Sequence, residues 1–96
     1  MEKELIKFIN LCTAYLEEDA VKEVMHFYNH GECEMSLEGL TIELINLNVY
    51  PREVPIKKLK ELLVYYQLDK ESIFDIQIWR KFLDWENKNL NDSSRP

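Results

Sequence analysis

The segment from residue 33 to residue 47 constrains this chain more than any other. Cys33, Leu37, Leu40, Leu44 and Leu47 recur at steps of four, three, four and three, an unbroken stripe along one side of an α-helix. Met35 and Ile42 project from nearly the opposite side, at about 180° on the helical wheel. A helix that is apolar on two sides is central, sandwiched between neighbours. Gly39 costs about 1 kcal/mol relative to Ala inside a helix, so the pattern predicts a close helix–helix approach there. Glu34 and Glu38 lie one turn apart on the strip between the two apolar faces, with Thr41 beside them. Like charges at that spacing repel mildly, so the pair is not there to support the helix.

Helical patterns surround this segment. Leu5, Ile9, Cys12 and Leu16, widened by Phe8 and Tyr15, predict a first helix over residues 2–16. Asp19 is placed to cap a second helix carrying Val21, Val24, Met25 and Tyr28. Gly31 is placed to end that helix in a left-handed turn. Pro51 and Pro55 bracket a long connection from Asn48 to Val54, and Pro55 suits the first turn of a fourth helix. There Ile56, Leu59, Leu62, Leu63 and Tyr66 face inward, and Leu68 and Asp69 close the element. Ser72, three residues before Asp75, resembles a capping box. Residues 73–79 also alternate like a strand, but Phe82, Leu83 and Trp85 continue a broad apolar face that favours a fifth helix to Asn87. The expected fold is an all-α, single-domain bundle of about five helices over residues 1–90, with residues 91–96 a frayed polar tail.

Composition agrees with a folded domain. Of the 96 residues, 46% are hydrophobic and 11% aromatic, too many for a disordered acidic linker. Two Gly and three Pro disfavour a many-turned β-sandwich. No run approaches the roughly 20 apolar residues of a membrane span, and the first residues do not read as a signal peptide. Cys12 and Cys33 are too few for a disulfide scaffold, so a reduced, cytoplasmic protein is expected.

The net charge of −6 makes nucleic acid an unfavourable direct partner. Its distribution is uneven. Residues 1–50 hold ten acids and three bases, whereas residues 51–96 hold eight acids and nine bases. Within residues 17–43, Glu17, Glu18, Asp19, Glu23, Glu32, Glu34, Glu38 and Glu43 face only Lys22. Such a surface either keeps the protein soluble or docks a basic partner, whose association its field would speed.

Candidate chemistry is sparse. His26 and His30 are four apart, with Cys33 or Glu34 just beyond, but no Glu follows His26 and no paired Cys-x-x-Cys supplies thiolates. Surface histidines near a helix end are the simpler reading, so neither a metal nor another cofactor is expected. Cys12 and Cys33 fall on apolar stripes among acidic residues, a setting for structural rather than nucleophilic thiols. Glu34 with Glu38 is the obvious carboxylate pair, yet a small bundle seldom builds the pocket such a pair needs. No glycine-rich phosphate loop, nucleophile elbow or calcium loop is present, and an enzyme is not expected. In the pairs Phe27-Tyr28 and Tyr65-Tyr66, at least one ring of each should reach the rim, where Tyr anchors interfaces.

The run His30-Gly31-Glu32-Cys33-Glu34-Met35-Ser36-Leu37-Glu38-Gly39-Leu40, after an amphipathic helix and before Glu43-Leu44-Ile45, resembles small helical immunity proteins of bacterial toxin systems. These include MafI-type proteins and partners of contact-dependent inhibition toxins. The resemblance covers residues 15–48, and the remainder only in helix count and length. Cys33 stands where an aromatic residue is expected, and Ser36-Leu37 where Ala-Phe is more usual. The resemblance implies an antitoxin-like protein that binds a cognate toxin domain, of a nuclease type with a basic substrate groove; nothing in the sequence demands a dimer, so a monomer is expected. The family's glutamates map onto Glu32, Glu34 and Glu38. Glu34 and Glu38 either contact the partner or satisfy donors inside the bundle. With Glu17, Glu18, Asp19 and Glu23, they make up the expected partner-binding set. A helical adaptor that binds some other basic protein is the alternative.

Overall fold

In the computed structural model, which describes residues 1–93 with side chains through Asn89, every regular element is helical. The helices are α1 (Glu2–Cys12), α2 (Glu18–Asn29), α3 (Cys33–Leu47), α4 (Ile56–Tyr65) and α5 (Ile78–Ser93), with a single 3-10 turn over Thr13–Tyr15. No strand occurs among the described residues. The radius of gyration, 12.6 Å, matches the roughly 12.5 Å of a compact chain of this length.

The doubly apolar helix is central. α3 packs most extensively on α2 and also touches α1, α4 and α5. Leu37, Leu40 and Leu44 are fully buried in one cluster with Leu5, Ile9, Leu59, Leu62 and Phe82. The stripe frays at its ends, where Cys33 is half-buried and Leu47 exposed. Polar groups buried along α3 have partners. The Ser36 hydroxyl donates to the Val24 carbonyl of α2 at 2.9 Å, and the Thr41 hydroxyl to Leu37 at 2.8 Å. Gly39 departs from expectation: a Cβ built there meets no atom within 4 Å, so no close helix approach requires glycine.

Three helices end in the same motif, each with one residue in left-handed conformation. After α2, Gly31 (φ 75°) lets its own N–H reach the Tyr28 carbonyl and that of Glu32 the Phe27 carbonyl. After α3, Asn48 (φ 53°) plays this part, with Val49 bonding back to Leu44. After α4, Gln67 (φ 63°) does so, and Leu68 bonds to Leu63. Leu68 is therefore not the end of α4 but a buried residue folded back beneath it.

Other boundaries shift for local reasons. α1 tightens into the 3-10 turn at Thr13, whose hydroxyl donates to Asn10 at 2.8 Å, and Leu16 is already extended. Glu17, not Asp19, occupies the cap position of α2, and Asp19 lies in the first turn beside Glu18, where the helix dipole favours acids. Pro55 sits one residue before α4. The long connection is tied down by aromatic residues. Tyr50 packs 5.8 Å from Phe8 and 6.0 Å from Trp85, and its hydroxyl donates to Pro55 at 3.0 Å. α5 starts at Ile78, five residues later than a Ser72 cap would set it, and runs through Ser93. Residues 91–93, expected in the tail, are thus helical, and the rest of that tail lies outside the described residues.

Candidate protein-docking site

Six of the seven expected partner-binding acids are exposed. Glu17, Glu18, Asp19 and Glu23 lie on α2 or at its start, and Glu32 and Glu34 at the start of α3. Lys22 pairs with Glu18 at 3.5 Å, but both side chains are largely in water, so the pair removes little of the negative field. Glu43, half-buried, faces Glu23 across a shallow groove lined by Ala20, Val24, Phe27 and Gly39.

Glu38 is a different kind of residue and leaves the docking set. It is wholly buried, and its carboxylate accepts three backbone N–H groups from the loop between α4 and α5. Ile73 donates to Oε1 at 2.7 Å, while Phe74 and Asp75 donate to Oε2 at 2.9 and 2.8 Å. Bonds to a charged acceptor are about twice as strong as neutral ones, and three of them offset much of the cost of burying the charge. The Glu34–Glu38 pair is thus split: Glu38 points inward to the loop, whereas Glu34 is exposed.

The loop clamped in this way exposes apolar side chains. Ile73, Phe74 and Ile76 are 52%, 48% and 91% exposed. The backbone beneath them is well bonded. Lys70 and Glu71 donate to the Gln67 carbonyl, residues 73–75 to Glu38, and Ile78 to the Asp75 carbonyl. Asp75 also accepts the Gln77 N–H at 2.9 Å and Lys81 Nζ at 2.6 Å, so this residue, rather than Ser72, opens α5. The Lys81 ammonium, and secondarily the Gln77 N–H, hold the Asp75 carboxyl below the usual aspartate range. Phe74 reaches back to α2, its ring centroid 5.6 Å from that of Phe27. That contact covers Phe27, which is half-buried like Tyr28, whereas in the other adjacent pair Tyr65 is 57% exposed. Phe27, which lines the groove with Glu23 and Glu43, therefore joins that part of α2 to the apolar loop.

Sequence reasoning missed these three loop residues by assigning them to a helix. The alternation across residues 73–79 was the available signal, together with Asp75 two residues before Gln77, which suits a side-chain turn.

The remaining candidates are chemically quiet. His30 Nδ1 donates to the His26 carbonyl at 2.7 Å, because a carbonyl only accepts, and the two exposed rings lie 4.3 Å apart. Among the described residues, no group of three or more His, Cys, Asp or Glu is arranged to hold a metal ion. Burial pushes the Cys12 thiol up to about 12, and it also raises Cys33, so neither is a thiolate at neutral pH. No described helix is long and apolar enough to cross a membrane. Comparison with protein-family models, with curated proteins and with solved structures finds no match for this chain.

Proposed function

We propose that the protein is an immunity-type inhibitor that neutralises a cognate toxin domain, of nuclease type, in a stoichiometric complex. One observation carries the reading: the exposed acids of α2 and early α3 adjoin an apolar loop clamped from inside by Glu38. Protein interfaces combine apolar anchors, which hold the complex, with charges that steer its formation. A basic nuclease groove is the complementary surface, since carboxylates can occupy places that phosphates would take. The resemblance of residues 15–48 to helical immunity proteins supplies the biological class. Protective inhibition needs a dissociation constant of about nanomolar or below, roughly −12 kcal/mol.

A rescue assay tests this. The toxin domain encoded beside this gene is induced in a sensitive bacterium with and without the protein. Rescue with co-purification supports immunity, and a nucleic-acid degradation gel identifies the blocked activity. Persistent toxicity despite soluble expression favours the helical adaptor instead. In the complex, changing Glu17, Glu18 and Asp19 to Lys is expected to slow association and flatten its salt dependence; unchanged kinetics would remove the electrostatic part of the reading.

A further inference from the structure

His26 and His30 lie at the end of α2, and both are exposed. Four positions apart, they stand on one row of the helix surface, and their ring centroids are 4.3 Å apart. Each ring is held. His30 Nδ1 donates to the His26 carbonyl at 2.7 Å, and the His26 ring lies edge-on to Phe27 with 5.8 Å between centroids. The first bond has a chemical consequence. A neutral imidazole carries one ring proton, so a His30 that donates from Nδ1 presents an unprotonated Nε2. An imidazole that binds a metal through one nitrogen nearly always has its other nitrogen fixed in this way.

The ring separation narrows the choice of ion. A metal–nitrogen bond of about 2.0–2.1 Å places an imidazole centroid roughly 3.2 Å from the ion. Two such centroids are about 4.5 Å apart when the ligands meet at a right angle, and about 5.2 Å apart at the tetrahedral angle. The observed 4.3 Å matches the right angle, the arrangement of neighbouring ligands around square-planar or tetragonal copper and nickel.

We infer that His26 and His30 chelate one Cu²⁺ or Ni²⁺ ion, with water in its remaining positions. The site is an open one, because no third His, Cys, Asp or Glu among the described residues joins the pair. The missing thiolate pair and the missing Glu after His26 argue against a closed structural centre or a zinc hydrolase, but not against a two-imidazole chelate. The setting favours a cation. Both rings stand at the C-terminal end of α2, the negative end of its dipole. The exposed acids Glu23, Glu32 and Glu34 add to that field. Lys22, one turn before His26, opposes it weakly and is paired with Glu18 at 3.5 Å. Because both rings are restrained before the ion arrives, chelation orders little that was free. This inference concerns α2 alone and does not rest on the immunity reading.

The test is calorimetric titration of the full chain, free of any histidine tag, with NiCl₂, CuCl₂ and ZnCl₂ in turn. The expected result is one ion per chain, with copper bound more tightly than nickel and nickel more tightly than zinc. His26→Ala and His30→Ala should each weaken nickel binding by roughly tenfold or more. Their losses should not add, since either change alone ends chelation and so removes most of what the double variant lacks. Both positions are exposed, so the variants should melt like the wild type without metal. Nickel should then raise the melting temperature of the wild type and leave that of each variant unmoved. Substoichiometric Cu²⁺ locates the ion, because it should broaden the amide resonances of residues 26–31 before any others. The inference is overturned by broadening centred elsewhere in the chain, by single variants that bind nickel within twofold of wild type, or by one ion shared between two chains. Zinc bound more tightly than nickel would overturn the right-angled geometry and with it the choice of ion.

Discussion

Glu38 and Phe74 are 36 positions apart in the chain, yet a carboxylate oxygen of the first accepts the backbone N–H of the second at 2.9 Å. The same carboxylate holds Ile73 and Asp75, so a single side chain of the central helix organises a loop that has no regular structure of its own. Removing it strands three N–H groups. Glu38→Ala is expected to lower unfolding free energy by about 2–4 kcal/mol, and Glu38→Gln, which keeps one acceptor, by about 1–3 kcal/mol. Urea unfolding gives the size of the loss, and hydrogen exchange at residues 73–75 gives its place. Wild-type protection of those amides in Glu38→Ala would show that the loop is held by something else.

Gly39 offers the opposite outcome one position along. Its Cβ would meet nothing within 4 Å, and its backbone is ordinary helix. Gly39→Ala should therefore stabilise the protein by about 0.5–1 kcal/mol. A lower denaturation midpoint would mean that the groove against α2 is tighter than this packing.

The left-handed residues after α3 and α4 separate backbone strain from side-chain function. Gln67 carries a β-carbon at φ 63° without the short polar side chain that eases this conformation in Asn. Gln67→Gly is expected to stabilise by about 0.5–1 kcal/mol. Asn48 has a similar φ, but its Oδ1 accepts the Trp85 indole N–H at 2.8 Å. Asn48→Gly should lose about 1 kcal/mol as the buried Trp85 indole gives up its partner. Paired thermal melts check both, and a gain at both positions would deny the indole bond any weight.

The Asp75 carboxyl is held low in the folded chain, first by Lys81 and then by the Gln77 N–H. Its contribution to stability is present above the ordinary aspartate value of 3.8 and is lost as pH falls through the lower folded value. Glu4, lowered first by its hydrogen bond to Lys58, adds a similar loss from 4.5 downward. Lys58 is raised by the same contact, so its share persists below 10.5 and disappears as pH rises through the folded value. Asp75→Asn should flatten the acid limb of the stability profile below about pH 4 and leave the alkaline limb alone. A parallel acid limb in that variant would remove Asp75 from the account.

Much of the fold was legible because helix periodicity is a local property. Leu37, Leu40 and Leu44 face inward in any helix of that sequence, and with Met35 and Ile42 on the opposite side they marked α3 as central. Gly31 ended α2 because glycine reaches φ 75° without a steric penalty. The exposed acids of α2 were legible too, since nothing in their spacing called for burial.

What tertiary structure decided lay where local preferences conflicted. Ser72 and Asp75 both offered a helix start, and three bonds to Glu38 kept residues 73–75 out of the helix and passed the start to Ile78. No window of sequence around Glu38 contains the amides it binds, so its inward orientation could not be read from a pattern that left it between two apolar faces. For the same reason Ile73, Phe74 and Ile76 read as the start of a fifth helix, and only the loop beneath them fixed their exposure. Side-chain periodicity is set within a few residues, whereas satisfying a buried charge requires donors from wherever the chain brings them.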